Sequence, residues 1–231
     1  QLTDWDMVTA VIVAAGSGAR MEGEGDKLFL EVNQFPVIGH TWRNFDRHPD
    51  IDEIVLVVRD DILPKFESLA DEVSPRKPYS FVAGGQERQD SVRNGIKAAS
   101  DNCDIVAIHD GARPCVDAET ISNTIQATKE HGASVAATKI VDTIKLSDGN
   151  IRISQNVDRT HLWSVQTPQV FKINTILEAM DAVDEQRASV TDDTAACELI
   201  GQSVTLVESK KPNPKVTTNS DLPFIEFLLK E

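Results

Sequence analysis

The sequence predicts an α/β protein: a mostly parallel sheet with helices on both faces and a protruding β-hairpin arm. Three observations carry that expectation. The stretches VIV (11–13), EIVLVV (53–58) and DIVAIH (104–109) are continuously apolar rather than alternating, as in strands buried on both faces. Segments with helical length and spacing separate them, which is the rhythm of parallel strands joined by crossover helices. Between 139 and 159 that rhythm breaks into two short β-prone runs around Ser147-Asp148-Gly149-Asn150, a turn sequence. A chain of 231 residues suffices for one domain with a full core, with 139–160 set apart as the arm.

In chain order, the first strand runs from Val8 to Val13 and opens into Ala14-Ala15-Gly16-Ser17-Gly18, with Arg20 and Lys27 following. A buried strand ending in a glycine loop with free N–H groups and nearby cations suits phosphate, although small residues after a strand also make a plain tight turn. No Gly-Lys-Ser/Thr follows, and the third glycine of a dinucleotide fingerprint comes too late. Pro36 to Phe45 reads as a helix, Glu53 to Val58 as a strand and Asp60 to Asp71 as a helix. Tyr79 to Val82 is a short strand ending at Gly84-Gly85. Glu87 to Ala99 carries the helical stripe Val92, Ile96, Ala99, with Arg88 and Ser91 on its first turn. Asp104 to His109 is a strand, Asp117 to His131 a helix and Ala133 to Thr138 a strand. The arm pairs Thr143 to Leu146 with Ile151 to Ser154. Beyond it come a strand (Val165 to Phe171), helices (Ile173 to Val183 and Asp193 to Ile200, the latter capped by Thr191), a strand (Ser203 to Val207) and a last helix (Leu222 to Lys230).

Charge narrows the function classes. The net charge is −14, from 23 basic and 37 acidic residues, which argues against a nucleic-acid or anionic-membrane surface. An anionic substrate would need a local cluster of cations or a metal. Cys103, Cys115 and Cys197 are odd in number and scattered, with no CxxC, and read as buried thiols of a reducing, cytoplasmic compartment. No apolar run reaches membrane-spanning length, and QLTDWDM has no targeting character. Trp5, Trp42 and Trp163 read as packing residues.

Open α/β sheets bind ligands at the carboxyl ends of their strands. Three such ends stand out: Ala14-Ala15-Gly16, Gly84-Gly85, and His109-Asp110-Gly111-Ala112-Arg113-Pro114. An aspartate placed as Asp110 is can be a turn former or helix cap, or a hard-oxygen ligand for Mg²⁺ shared with substrate phosphates. Its place opposite the glycine loop favours the second. His109 reads as a packed or hydrogen-bonded strand-end residue. No Ser/His/Asp set is present, so no nucleophile is assigned. A reaction that needs only positioning and charge neutralisation, such as phosphoryl or nucleotidyl transfer, fits what remains.

The segments AAGSGARM with Lys27, GGQERQDSV, HDGARP, VDTIK, VDR with LWSVQTPQVF, VTDD and KVTT occur in this order between residues 11 and 218. Together they resemble the 2-C-methyl-D-erythritol 4-phosphate cytidylyltransferase family of isoprenoid biosynthesis. The resemblance implies a Rossmann-like nucleotidyltransferase fold, a CTP substrate, a divalent cation such as Mg²⁺, and a homodimer formed through the arm. It implies that Ala14, Ala15 and Gly16 line the nucleotide pocket, and that Gly85, Gln86 and Ser91 read the cytosine. Gly18, Arg20 and Lys27 would hold the phosphates. Asp110 would bind the metal and approach the ribose beside Gly111. Arg113, Thr167, Thr191 and Lys215 would complete the acceptor pocket, with Thr143 and Arg159 contributed by the other subunit's arm. Lys27, Arg20 and Lys215 would stabilise developing charge.

Four positions depart from the family pattern. Asp26 stands where a proline usually precedes the lysine, Ala19 replaces a polar or basic residue, Asp193 replaces a glutamate and Gly111 an alanine. Two alternatives accompany the main reading: a cytidylyltransferase for ribitol phosphate or another polyol phosphate, and an inactive nucleotide-binding regulatory protein.

Overall fold

The computed structural model describes residues 6–16 and 26–230. Its centre is a seven-stranded sheet. The strands are β1 (Val8–Val13), β4 (Glu53–Val58), β5 (Tyr79–Ala83), β6 (Ile105–Asp110), β7 (Ala133–Lys139), β10 (Trp163–Lys172) and β11 (Thr205–Glu208), in the spatial order β11-β7-β10-β6-β1-β4-β5. Six run parallel, while β10 lies antiparallel to both β6 and β7. The register of β10 against β7 shifts between Val165 and Gln169, around a cis Thr167–Pro168 peptide.

The continuous apolar runs are explained by burial on both faces. Along β1, Val8, Ala10 and Ile12 enter one core, whereas Val11 enters the other. The first core is closed by α1 (Val37–Asp46), α2 (Leu63–Val73), α4 (Ala118–His131) and α7 (Leu222–Leu228), through Trp42, Phe45, Phe66, Ile121 and Ile225. The second is closed by α3 (Arg88–Lys97), α5 (Ile173–Gln186) and α6 (Asp193–Leu199), through Val92, Ile96, Ile176, Met180 and Cys197. Period-2 alternation is therefore present, but both phases are apolar. Gly95 lets α3 approach the sheet, since a Cβ there would sit 2.4 Å from Val11 Cγ1.

Two features lie apart from the main sheet. The short strands β2 (Glu31–Val32) and β3 (Phe35–Pro36) form a hairpin that the sequence pattern did not predict. Its turn residues Asn33 and Gln34 take φ of 52° and 61° without a glycine, and two-residue strands carry no period to read. The expected arm is present as β8 (Ile144–Ser147) paired antiparallel with β9 (Ile153–Val157), the second strand beginning two residues later than predicted. Among the described residues, no helix is long and apolar enough to cross a membrane. Trp42 is buried in the core, Trp163 is half-buried, and Trp5 lies outside the described residues.

Candidate active site

After β5 the chain crosses over β4 and β1 to lay β6 on the far side of β1, so the order of winding reverses between β1 and β6. Such a reversal leaves a crevice at the carboxyl ends of the strands. Here it holds a cavity of about 530 Å³. Ala14, Ala15 and Gly16 enter it from β1, and Asp110 and Gly111 from β6. Gly85 and Gln86 come from the β5–α3 connection, Arg88 and Ser91 from the first turn of α3, Lys27 from a 3₁₀ turn and Lys215 from a loop.

Close backbone approach shapes the walls. A Cβ at Gly84 would stand 2.3 Å from the Ala15 Cβ, and one at Gly85 2.1 Å from the Asp90 Cβ. A Cβ at Gly111 would stand 2.8 Å from Ile38 Cδ1 and 3.1 Å from the Val13 carbonyl. Only glycine permits these contacts without displacing a neighbour. The Gly85 N–H donates to Ser91 Oγ (3.0 Å), whose hydroxyl donates to the Glu87 carbonyl (3.2 Å), which locks the first turn of α3 against the cavity.

Asp110 is the electrostatic centre. Lys215 Nζ lies 2.8 Å from its Oδ2, Arg113 Nε 3.5 Å from the same oxygen, and Arg88 Nε 3.9 Å from Oδ1. Burial alone would raise its pKa, but Lys215, then Arg88 and Arg113, outweigh it and hold the carboxyl at about 2. Arg88 also makes a two-pronged pair with buried Asp193, at 2.9 and 2.8 Å. Burial opposes its charge, but Asp193, and then Asp110 and Asp192, more than offset this and raise its pKa.

Beneath Asp110 lies a fully buried stack. The Asp110 N–H donates to Thr167 Oγ1 (3.0 Å), and that hydroxyl meets His109 Nδ1 (3.0 Å). His109 Nε2 faces the Arg113 carbonyl at 3.1 Å. A neutral imidazole protonated on Nε2 satisfies both contacts, and burial pushes the His109 pKa down to about 4. Asn213 donates to the Thr167 carbonyl and accepts from Arg113 Nη1, both at 2.8 Å, which anchors the loop that carries Lys215.

The remaining expected residues fall differently. Arg113 is mostly buried and paired with Asp110, and Thr167 is 3% exposed with its hydroxyl engaged as described. Thr191 is exposed and does not cap α6. Asp192 does, accepting from the Ala195 N–H at 3.0 Å, because its extended backbone aims the carboxylate at the open N–H groups. Thr143 and Arg159 belong to the arm segment, where Arg159 donates to the Val141 carbonyl, and neither lines the cavity. Gly18 and Arg20 lie outside the described residues.

Asp26 caps the 3₁₀ turn Lys27–Phe29 by accepting from the Leu28 N–H (3.0 Å), and its Oδ2 stands 3.0 Å from Arg59 Nη1. Arg59, which also lines the cavity, was missed from sequence. Its only signal was its position directly after the buried run EIVLVV.

A mostly parallel sheet with a glycine-walled cavity at its switch point, cations gathered round one largely buried carboxylate, is the build of a nucleotidyltransferase. Comparison with known proteins narrows that class. The model of the 2-C-methyl-D-erythritol 4-phosphate cytidylyltransferase family matches residues 8–231, and the chain belongs to that family. The cytidylyltransferase of that name from Alkaliphilus oremlandii is 40% identical over 225 residues, which cover 96% of this chain and 94% of the relative. The one from Bacillus cereus is 39% identical over 223 residues, covering 96% and 98%. Among solved structures, 4-diphosphocytidyl-2C-methyl-D-erythritol synthase from Anaerococcus prevotii superposes with a TM-score of 0.87 at 30% identity, over 99% of this chain and 100% of that one. The Thermus thermophilus 2-C-methyl-D-erythritol 4-phosphate cytidylyltransferase does so with a TM-score of 0.80 at 28% identity, over 97% and 100%.

Proposed function

We propose that this chain transfers the cytidylyl group of CTP to 2-C-methyl-D-erythritol 4-phosphate, forming 4-diphosphocytidyl-2-C-methyl-D-erythritol and pyrophosphate. The observation that carries the reading is that the family match runs through every strand end and loop that lines the cavity. A phosphate oxygen of the acceptor attacks the α-phosphorus of CTP in line. The bond to the bridging oxygen breaks, and pyrophosphate leaves with its electron pair. The attacking oxygen is already ionised, so no general base is needed, which agrees with the neutral, enclosed His109. Lys27 and Lys215 offset the repulsion between two anions and stabilise charge as it builds, and Arg20 is assigned the same role. Ala14, Ala15, Gly16, Gly18, Gly85, Gln86, Ser91 and Gly111 are assigned to the nucleotide.

Asp110 fits a divalent cation: it is ionised at any physiological pH and faces the cavity. An ion there would be held by this one carboxylate together with substrate phosphates, the usual arrangement for Mg²⁺. When bound, the ion would neutralise triphosphate charge. Arg113, Thr167 and Thr191 are assigned to the acceptor, joined by Thr143 and Arg159 from a second subunit's arm. Support for a homodimer comes from that arm, where Val141 (82% exposed), Leu146 (55%), Ile151 (100%) and Ile153 (69%) leave apolar surface uncovered. Free Cys103, Cys115 and Cys197 fit a cytoplasmic setting.

The test is pyrophosphate release with CTP and Mg²⁺, comparing 2-C-methyl-D-erythritol 4-phosphate with ribitol 5-phosphate. Release with the first alone is the expected result. Release with ribitol 5-phosphate alone would overturn the acceptor, and release with neither would leave a nucleotide-binding protein.

A further inference from the structure

Arg59 joins two places in the chain that sequence alone keeps apart. Its Nη1 donates to the Gly16 carbonyl at 3.1 Å and stands 3.0 Å from Asp26 Oδ2. Its Nε and Nη2 are held by Asp61, at 3.0 and 3.3 Å. The Asp26 side chain is only 6% exposed, so its charge must be compensated by protein. That carboxylate in turn caps the 3₁₀ turn that begins at Lys27.

We infer that Arg59 is a positioning residue for nucleotidyl transfer: it braces the Gly16 end of β1 against Asp26 and so sets where Lys27 enters the cavity. This rests on the function proposed above. The guanidinium suits the task because its planar fork serves a carbonyl and two carboxylates at once, which a single ammonium cannot do. Asp61 orients the fork from the solvent side, leaving Nη1 directed at Gly16 and Asp26. Arg59 itself borders the cavity, but its donors are engaged by these protein groups.

Two measurements test the inference. The first needs no nucleotide: hydrogen exchange of the Leu28 amide, which donates to Asp26. Arg59→Met should speed that exchange about tenfold while leaving the β1 core amide of Val11 unchanged. Unchanged Leu28 exchange would overturn the brace whatever the enzyme's activity. The second is steady-state kinetics of Arg59→Met, Asp26→Asn and the double variant. Arg59→Met should raise KM for CTP about tenfold with a smaller fall in kcat, and the double variant should be no worse than the worse single one. Arg59→Lys should recover part of the loss. Effects that multiply independently, or a KM that does not move, would overturn the inference. Failure of the wild type itself to release pyrophosphate would instead count against the proposed function, with the exchange result still deciding the brace.

Discussion

His109 shows how a residue beside the reacting groups can serve by staying uncharged. It lies directly before Asp110, is wholly buried, and hands its two ring nitrogens to Thr167 and the Arg113 carbonyl. Burial lowers its pKa from the usual 6.5 to about 4, so the folded protein resists a proton that the unfolded chain accepts readily. The sign follows from that difference. Its contribution to stability is full above pH 6.5, falls as pH drops toward 4, and changes no further below that. The total at stake is about 3 kcal/mol. Asp110, held at about 2 against the usual 3.8, acts only at lower pH: its contribution is present above 3.8 and is lost as pH falls through 2. His40 is also lowered by burial and adds a slope of the same sign, so the measurement must be a difference between proteins. Urea unfolding of wild type and His109→Gln should show the wild type's advantage shrinking between pH 7 and pH 4.5. An advantage equal at both pH values would mean that His109 is not held neutral.

At the scale of elements, the ends of strands decide the site. Gly84 brings the connection after β5 against the one after β1 so closely that an alanine would collide with Ala15, while a Cβ at Gly16 meets nothing within 4 Å among the described residues. Gly84→Ala should therefore destabilise by about 1–3 kcal/mol and raise KM for CTP, whereas Gly16→Ala should raise KM with an unchanged urea midpoint. Equal midpoints for both variants would contradict the packing argument. The same contrast shows what could be read from the chain. Buried strands and amphipathic helices declare themselves because burial imposes a period, and the residues ending β1, β5 and β6 followed once the strands were placed. The β2–β3 hairpin was invisible because two-residue strands have no period. The cap of α6 moved from Thr191 to Asp192 because three neighbouring side chains could all cap, and only the backbone angles choose among them. Arg59 could not be found from spacing, since its partners Gly16 and Asp26 lie more than thirty residues away and meet it only through the β1–β4 pairing.

Across the whole molecule, acidic charge dominates while cations converge on one crevice, and the arm stands apart with its apolar side chains uncovered. A two-stranded hairpin is marginal alone in water, so an arm of this kind gains its stability from whatever it packs on. If that surface is a second copy, the acceptor half of each site is built from two chains and the nucleotide half from one. Replacing Leu146 and Ile153 by Asp should then give a monomer in sedimentation velocity that still binds CTP but has lost acceptor-dependent turnover. A sharper version uses two defective proteins, Lys27→Ala in the cavity and Arg159→Ala in the arm. Each is expected to be nearly inactive alone. In a mixed dimer both defects fall on one site and the other site is intact. Random exchange puts half of the dimers in the mixed class, with one working site of two, so activity should return to about a quarter of wild type. Recovery with time after mixing would tie the arm to the neighbouring site. No recovery, with exchange confirmed by sedimentation, would mean that Arg159 serves its own chain.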